Sequence, residues 1–140
     1  MIRIMICMVI FGLIMSGGIV MASDAGKEAA AVSAAEKWLA SIDAGKYAES
    51  WKEAAELFRN ALTQEQWVNS LQAGRKPLGK LISRKVLMKT YKTSLPGAPD
   101  GEYVVIQFQT SFENKEASIE TVTPLMEKDK KWRVSGYYIK

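Results

Sequence analysis

Between Gly74 and Gly79 the hydrophobic repeat of this chain changes from that of a helix to that of a strand. Helical segments before that break and strands after it, without an internal repeat, restrict the fold to the α+β class: N-terminal helices packed on one face of a four-stranded antiparallel sheet. From Asp24 to Ile42 the alanine-rich sequence places Val32, Ala35, Leu39 and Ile42 on one helical face. Asp24 is expected as its N-cap, and Asp43-Ala44-Gly45 as its end. Tyr47, Trp51, Ala54, Ala55 and Phe58 predict a second helix, with Glu49, Lys52, Glu53 and Glu56 on the solvent side. Thr63 and Gln66 have the spacing of a capping box for a third, short helix carrying Trp67 and Leu71.

After the break, Val104, Ile106, Phe108 and Phe112 alternate with Tyr103, Gln107, Gln109 and Ser111, the pattern of a central strand. A strand from Leu81 to Thr93 precedes it, joined through Leu95-Pro96-Gly97-Ala98-Pro99-Asp100-Gly101, and the two are expected to pair antiparallel. A third strand runs from Ala117 to Met126, where Pro124 points to an edge or a bulge. The turn Asp129-Lys130 leads to a fourth, in which Trp132, Val134, Gly136 and Tyr138 alternate with Arg133, Ser135, Tyr137 and Ile139.

The first 22 residues read as a secretory signal peptide. Arg3 precedes an apolar run from Ile4 to Met21, and Val20-Met21-Ala22 fits cleavage between Ala22 and Ser23. Residues 23–140 then form a single domain in the periplasm or the secreted fraction, with membrane attachment only if the leader is retained as a marginal anchor. The leader holds the one cysteine, Cys7, and the chain has no histidine. The exported domain therefore relies on packing rather than disulfides, and the usual ligand sets for zinc, haem and copper are missing, so no metal or cofactor is expected. A net charge of +4, of which Arg3 supplies one, is too small to indicate nucleic acid. Arg84, Lys85, Lys89 and Lys92 fall on both faces of their strand and make no single basic stripe.

Gly74-Arg75-Lys76-Pro77-Leu78-Gly79-Lys80-Leu81 has the spacing of a phosphate-binding loop up to its lysine. Its context is reversed, since a helix precedes and a strand follows, and Leu81 stands where a magnesium-binding Ser or Thr is required. Serine catalysis lacks a histidine base, and Pro99-Asp100-Gly101 lacks the further acidic ligands of a calcium loop.

Trp38-Leu39, Ile42-Asp43-x-Gly45-x-Tyr47, Ser50-Trp51, Glu65-Gln66-Trp67 and Arg75-x-Pro77-Leu78-Gly79 resemble the bacterial domain of unknown function numbered 4019. Ser83-Arg84, Leu95 to Gly101 with Tyr103, Phe112, Glu120-Thr121 and Trp132-x-Val134-x-Gly136-Tyr137 extend the resemblance over nearly all of the exported domain. It implies a fold of the nuclear transport factor 2-like, or cystatin-like, group, in which a curved sheet wraps helices around a conical pocket, but it implies no activity. Within these blocks Asp43, Tyr47, Trp51, Arg75, Arg84, Glu120 and Tyr137 are the candidate ligand-binding residues. Asp43, Arg75, Arg84 and Glu120 would equally serve to tie helix to sheet through buried ion pairs.

No catalytic residue is assigned. The leading expectation is a noncatalytic module that binds a small ligand or an envelope protein, because the fold offers a concavity and the sequence offers no recognisable catalytic spacing. One alternative is an acid–base enzyme resembling ketosteroid isomerases, using Asp43 or Glu120 with Tyr47 or Tyr137. Another is a structural homodimer packed through the outer face formed by Tyr103, Val105, Gln107 and Gln109.

Overall fold

Four antiparallel strands in the order β1 (Leu81–Lys92), β2 (Tyr103–Phe112), β3 (Lys115–Met126) and β4 (Trp132–Ile139) form an open sheet. Helices α1 (Gly18–Asp43), α2 (Tyr47–Glu53), α3 (Glu56–Ala61) and α4 (Gln64–Gly74) precede them, giving the expected α+β arrangement. The computed structural model describes the backbone over residues 18–140 and the side chains over residues 24–140. Most of the proposed leader, including Arg3 and Cys7, lies outside the described residues, and the Ala22-Ser23 junction falls within the backbone of α1.

The first helix begins earlier than the sequence indicates. Asp24 is not its N-cap but lies inside it, because Met21 and Ala22 are good helix formers and nothing between Gly18 and Asp24 stops propagation. Its buried face is Ala31, Ala35, Trp38, Leu39 and Ile42. Gly45, at φ +78°, closes it and donates its N–H to the Ile42 carbonyl at 2.9 Å.

The expected second helix is broken. Ala54 and Ala55 are extended, at ψ 165° and 151°, so α2 and α3 are separate turns. The break frees the Ala55 N–H to donate to the Val134 carbonyl of β4 at 2.8 Å, an anchor that an unbroken helix would forfeit. The capping box forms as expected: the Gln66 N–H donates to Thr63 Oγ1 at 3.2 Å, and the Thr63 N–H to Gln66 Oε1 at 3.0 Å. A 3-10 turn, Lys76–Leu78, then leads into β1.

Cross-strand partners define two faces. Val104, Ile106, Phe108 and Thr110 are buried toward the helices, which places their partners Tyr91, Lys89, Val86 and Arg84 on the same side of β1. Val122 and Val134 join this face, and with Trp38, Phe58, Trp67 and Leu71 they complete the core. Burying each such side chain contributes about 1.5–3 kcal/mol before conformational entropy is counted.

Pro124 lies in β3, which has neighbours on both sides, so of the two expected alternatives it is the bulge that fits, at the register shift against β4 between Thr123 and Pro124. One strand expectation needs correction. Tyr103, expected on the outer face, is 1% exposed and donates its hydroxyl to the Pro99 carbonyl at 2.6 Å, because the preceding loop folds over it. The proposed dimer face thereby loses its aromatic member.

Candidate functional site

At one end of the helix-facing side, every strand contributes a polar residue to a single buried cluster. Arg84 comes from β1, Thr110 from β2, Glu120 from β3 and Tyr137 from β4. Asp43 enters from the last turn of α1, and Arg75 from the junction between α4 and the 3-10 turn.

Glu120 is fully buried and accepts from three donors: Arg84 Nε at 2.7 Å, the Thr110 hydroxyl at 2.6 Å, and the Tyr137 hydroxyl on its other oxygen. Arg84 turns its two remaining nitrogens to Asp43, at 2.7 Å and 3.0 Å, in a bidentate pair. Arg75 also reaches Asp43, at 3.3 Å, and donates to the Gly79 carbonyl at 2.5 Å. Its guanidinium stacks on the Phe112 ring, 4.4 Å from the centroid, while its Nε has no hydrogen-bond partner among the described residues.

Two guanidinium groups and two carboxylates thus balance one another. Burial alone would lower the affinity of Arg84 for its proton, but the hydrogen bonds to Asp43 and Glu120 outweigh burial and the net shift is upward. Burial raises the Tyr137 phenol above its ordinary value, and the charge and hydrogen bond of Glu120 raise it further.

Asp43, Arg75, Arg84, Glu120 and Tyr137 are therefore brought together, whereas Tyr47 and Trp51 stand apart. Tyr47 packs half-buried against the core, and Trp51 donates its indole N–H to the Leu62 carbonyl at 2.8 Å. Two further indoles are also committed internally. Trp38 donates to the Ser50 carbonyl at 2.8 Å and Trp67 to the Ser50 hydroxyl at 2.9 Å. Their rings stack at 5.9 Å, with Tyr137 edge-on to Trp38 at 5.4 Å.

Sequence reasoning missed Thr110. A signal for it existed, since Thr110 continues the inward parity of Val104, Ile106 and Phe108 with a hydroxyl. Phe112, read as a core residue, was not foreseen as the platform beneath Arg75.

Between the helices and the sheet the described residues place this cluster and the aromatic side chains of Trp38, Phe58 and Trp67. Beside it, between α4 and β4, lies a pocket of about 200 Å3 lined by Trp67, Ser70, Leu71, Gly74, Arg75, Tyr137 and Ile139. An open groove of about 720 Å3 runs between α3 and the β3–β4 turn, past Leu57, Arg59, Leu125 and Arg133. Arg133 is held there by Glu127 at 2.7 Å and Asp129 at 2.8 Å. Among the described residues no group of three or more His, Cys, Asp or Glu is placed to hold a metal ion.

Along the sheet's first strand the surface has another character. Ile82, Val86, Leu87 and Met88 of β1 are 65%, 38%, 55% and 47% exposed. Among the described residues the strand pairs with β2 alone, and its register slips between Val86 and Met88 so that Leu87 has no cross-strand partner.

Among the described residues no helix is long and apolar enough to cross a membrane. No curated protein and no solved structure matches the chain. The model of one family does match, over residues 34–137, a span that contains the whole buried cluster and all four strands up to Tyr137. The chain therefore belongs to the family described as "Protein of unknown function (DUF4019)".

Proposed function

We propose that this chain is a noncatalytic binding module of the cell envelope whose working surface is the exposed edge of β1. One contrast carries the reading. The carboxylates of the buried cluster are occupied by Arg84, Arg75, Thr110 and the Tyr137 hydroxyl, whereas β1 offers an edge unpaired among the described residues, with four exposed apolar side chains.

A general base has to reach the proton it removes, and the approaches to Glu120 are taken by Arg84, Thr110 and Tyr137. The pocket between α4 and β4, at about 200 Å3, is smaller than the roughly 300–1,000 Å3 of ordinary small-ligand sites, and the groove of about 720 Å3 past α3 is large enough but open to solvent rather than enclosing. Both points favour docking of a partner protein over turnover or capture of a metabolite. The element order supports placing the fold in the nuclear transport factor 2-like or cystatin-like group, whose members include assembly modules. Export rests on Arg3, the apolar run and the Ala22-Ser23 junction, with the mature chain beginning at Ser23.

The test is site-specific photo-crosslinking in living cells, with benzoylphenylalanine at Leu87 or, as a control on a remote exposed site, at Asn60. A discrete protein adduct from position 87 and none from position 60 supports the reading. Equal labelling from both, or none from position 87, contradicts it.

A further inference from the structure

We infer that the β1 edge receives an extended acidic segment of another protein as a fifth strand of the sheet. This inference rests on the edge reading above and names the chemistry of the partner.

Strand addition is favoured over face-to-face packing because the exposed apolar groups lie on both sides of β1. Val86, partner of Phe108, faces the helix side, and Met88, partner of Gln107, faces the outer side. An added strand extends both faces, so its alternating side chains meet Val86 on one side and Met88 on the other. A protein packed on either face alone would leave one of them in water.

The charge of the edge selects the occupant. From Lys80 to Lys92 the chain carries Lys80, Arg84, Lys85, Lys89 and Lys92 and no acidic residue. Arg84 is consumed by Asp43 and Glu120. The four lysines form no ion pair among the described residues, whereas Lys27, at the other end of α1, is paired with Glu102 at 2.9 Å.

A second copy of β1 is a poor occupant. An antiparallel copy of β1 brings two basic strands with no acidic residue side by side, and a parallel in-register pair sets each lysine beside itself. Like charges directly opposite are destabilising in a sheet. Lysines and a bulge are also the means by which edge strands avoid self-association, and here they leave the edge open to a segment of opposite charge. Residues 1–17 contain Arg3 and no acidic residue, so they do not complement the edge either.

The experiment measures fluorescence anisotropy of three labelled peptides against the purified full chain: one alternating valine with glutamate, one valine with serine, one valine with lysine. Hydrogen exchange of the β1 amides is followed in parallel. The glutamate peptide is expected to bind, to slow exchange within Leu81–Lys92, and to weaken severalfold as salt rises from about 50 mM to about 500 mM. The double variant Lys85→Glu, Lys89→Glu changes only exposed side chains, and it should lose about tenfold in affinity for the glutamate peptide while gaining the lysine peptide.

Binding of all three peptides alike, preference for the lysine peptide, or protection elsewhere than β1 overturns the inference. So does protection of β1 by a concentration-dependent dimer without peptide. If crosslinks from Leu87 persist in cells while the glutamate peptide fails to bind, the edge reading survives and the acidic class falls. If crosslinks are absent as well, both fall.

Discussion

Replacing Glu120 by Gln keeps the shape of a fully buried side chain and removes its charge, so it measures what the ion cluster contributes. The amide oxygen can still accept from Arg84 and Thr110, and Tyr137, whose hydroxyl both donates and accepts, can turn to receive the new amide N–H. What is lost is charge balance. Two guanidinium groups then face Asp43 alone, in surroundings where Arg84 has 10% of its side chain exposed. Removing one partner of a buried pair typically costs about 3–5 kcal/mol. Against a total stability of about 5–15 kcal/mol this is a large fraction. Urea unfolding followed by tryptophan fluorescence should show the midpoint falling with an unchanged slope. The double variant Arg84→Met, Glu120→Met leaves Asp43 paired with Arg75, and it should be less destabilised than the sum of its single variants by about 1–3 kcal/mol. Should the single variants not fold, Tyr137→Phe strips one donor from Glu120 and is expected to cost about 1–3 kcal/mol. A loss below about 1 kcal/mol for Glu120→Gln, or strict additivity in the cycle, would refute the claim that the cluster holds helix to sheet.

Other expectations follow from single contacts. Because Tyr137 has a raised pKa in the fold, its contribution is present below the unfolded value of about 10 and is lost as pH rises above it, at up to about 1.4 kcal/mol per pH unit. Urea midpoints at successive alkaline pH values should therefore decline less steeply in Tyr137→Phe. Lys27→Ala breaks an exposed pair with Glu102, whose pKa that hydrogen bond lowers, and should lower the urea midpoint only slightly near neutrality, the difference vanishing as acid protonates Glu102. Gly45→Ala meets no atom within 4 Å and should cost about 1–2 kcal/mol for its left-handed backbone alone. Gly79→Ala, also at positive φ, would set a Cβ 3.0 Å from Glu113 Cβ and should cost more in thermal unfolding.

Local chemistry made much of this fold readable. The Thr63–Gln66 capping box needs only a spacing of three, and the parity of Val104, Ile106 and Phe108 needs only a strand. The break at Ala54-Ala55 was not readable, because two good helix formers are pulled into extended geometry by the carbonyl of Val134, remote in sequence. The exposure of β1 was hidden similarly: irregular register at two points scrambles its alternation, so Ile82 and Leu87 look like core residues until the ladder is drawn. For the buried cluster, the sequence supplied Asp43, Arg75, Arg84, Glu120 and Tyr137 as residue types, but their meeting is a product of four strands and two helix ends. Tyr47 and Trp51 shared their blocks and were drawn into the core instead.

If the buried cluster supplies stability and the β1 edge partner recognition, a crosslinking yield measured beside a thermal midpoint separates the two. With benzoylphenylalanine at Ile82, exposed on the same edge, the Leu87→Lys variant should keep its midpoint and lose most of the partner adduct. Glu120→Gln, assayed below its own lowered midpoint, should keep the adduct. Loss of the adduct in folded Glu120→Gln together with its persistence in Leu87→Lys would contradict the account, placing recognition at the cluster and leaving the edge without a role.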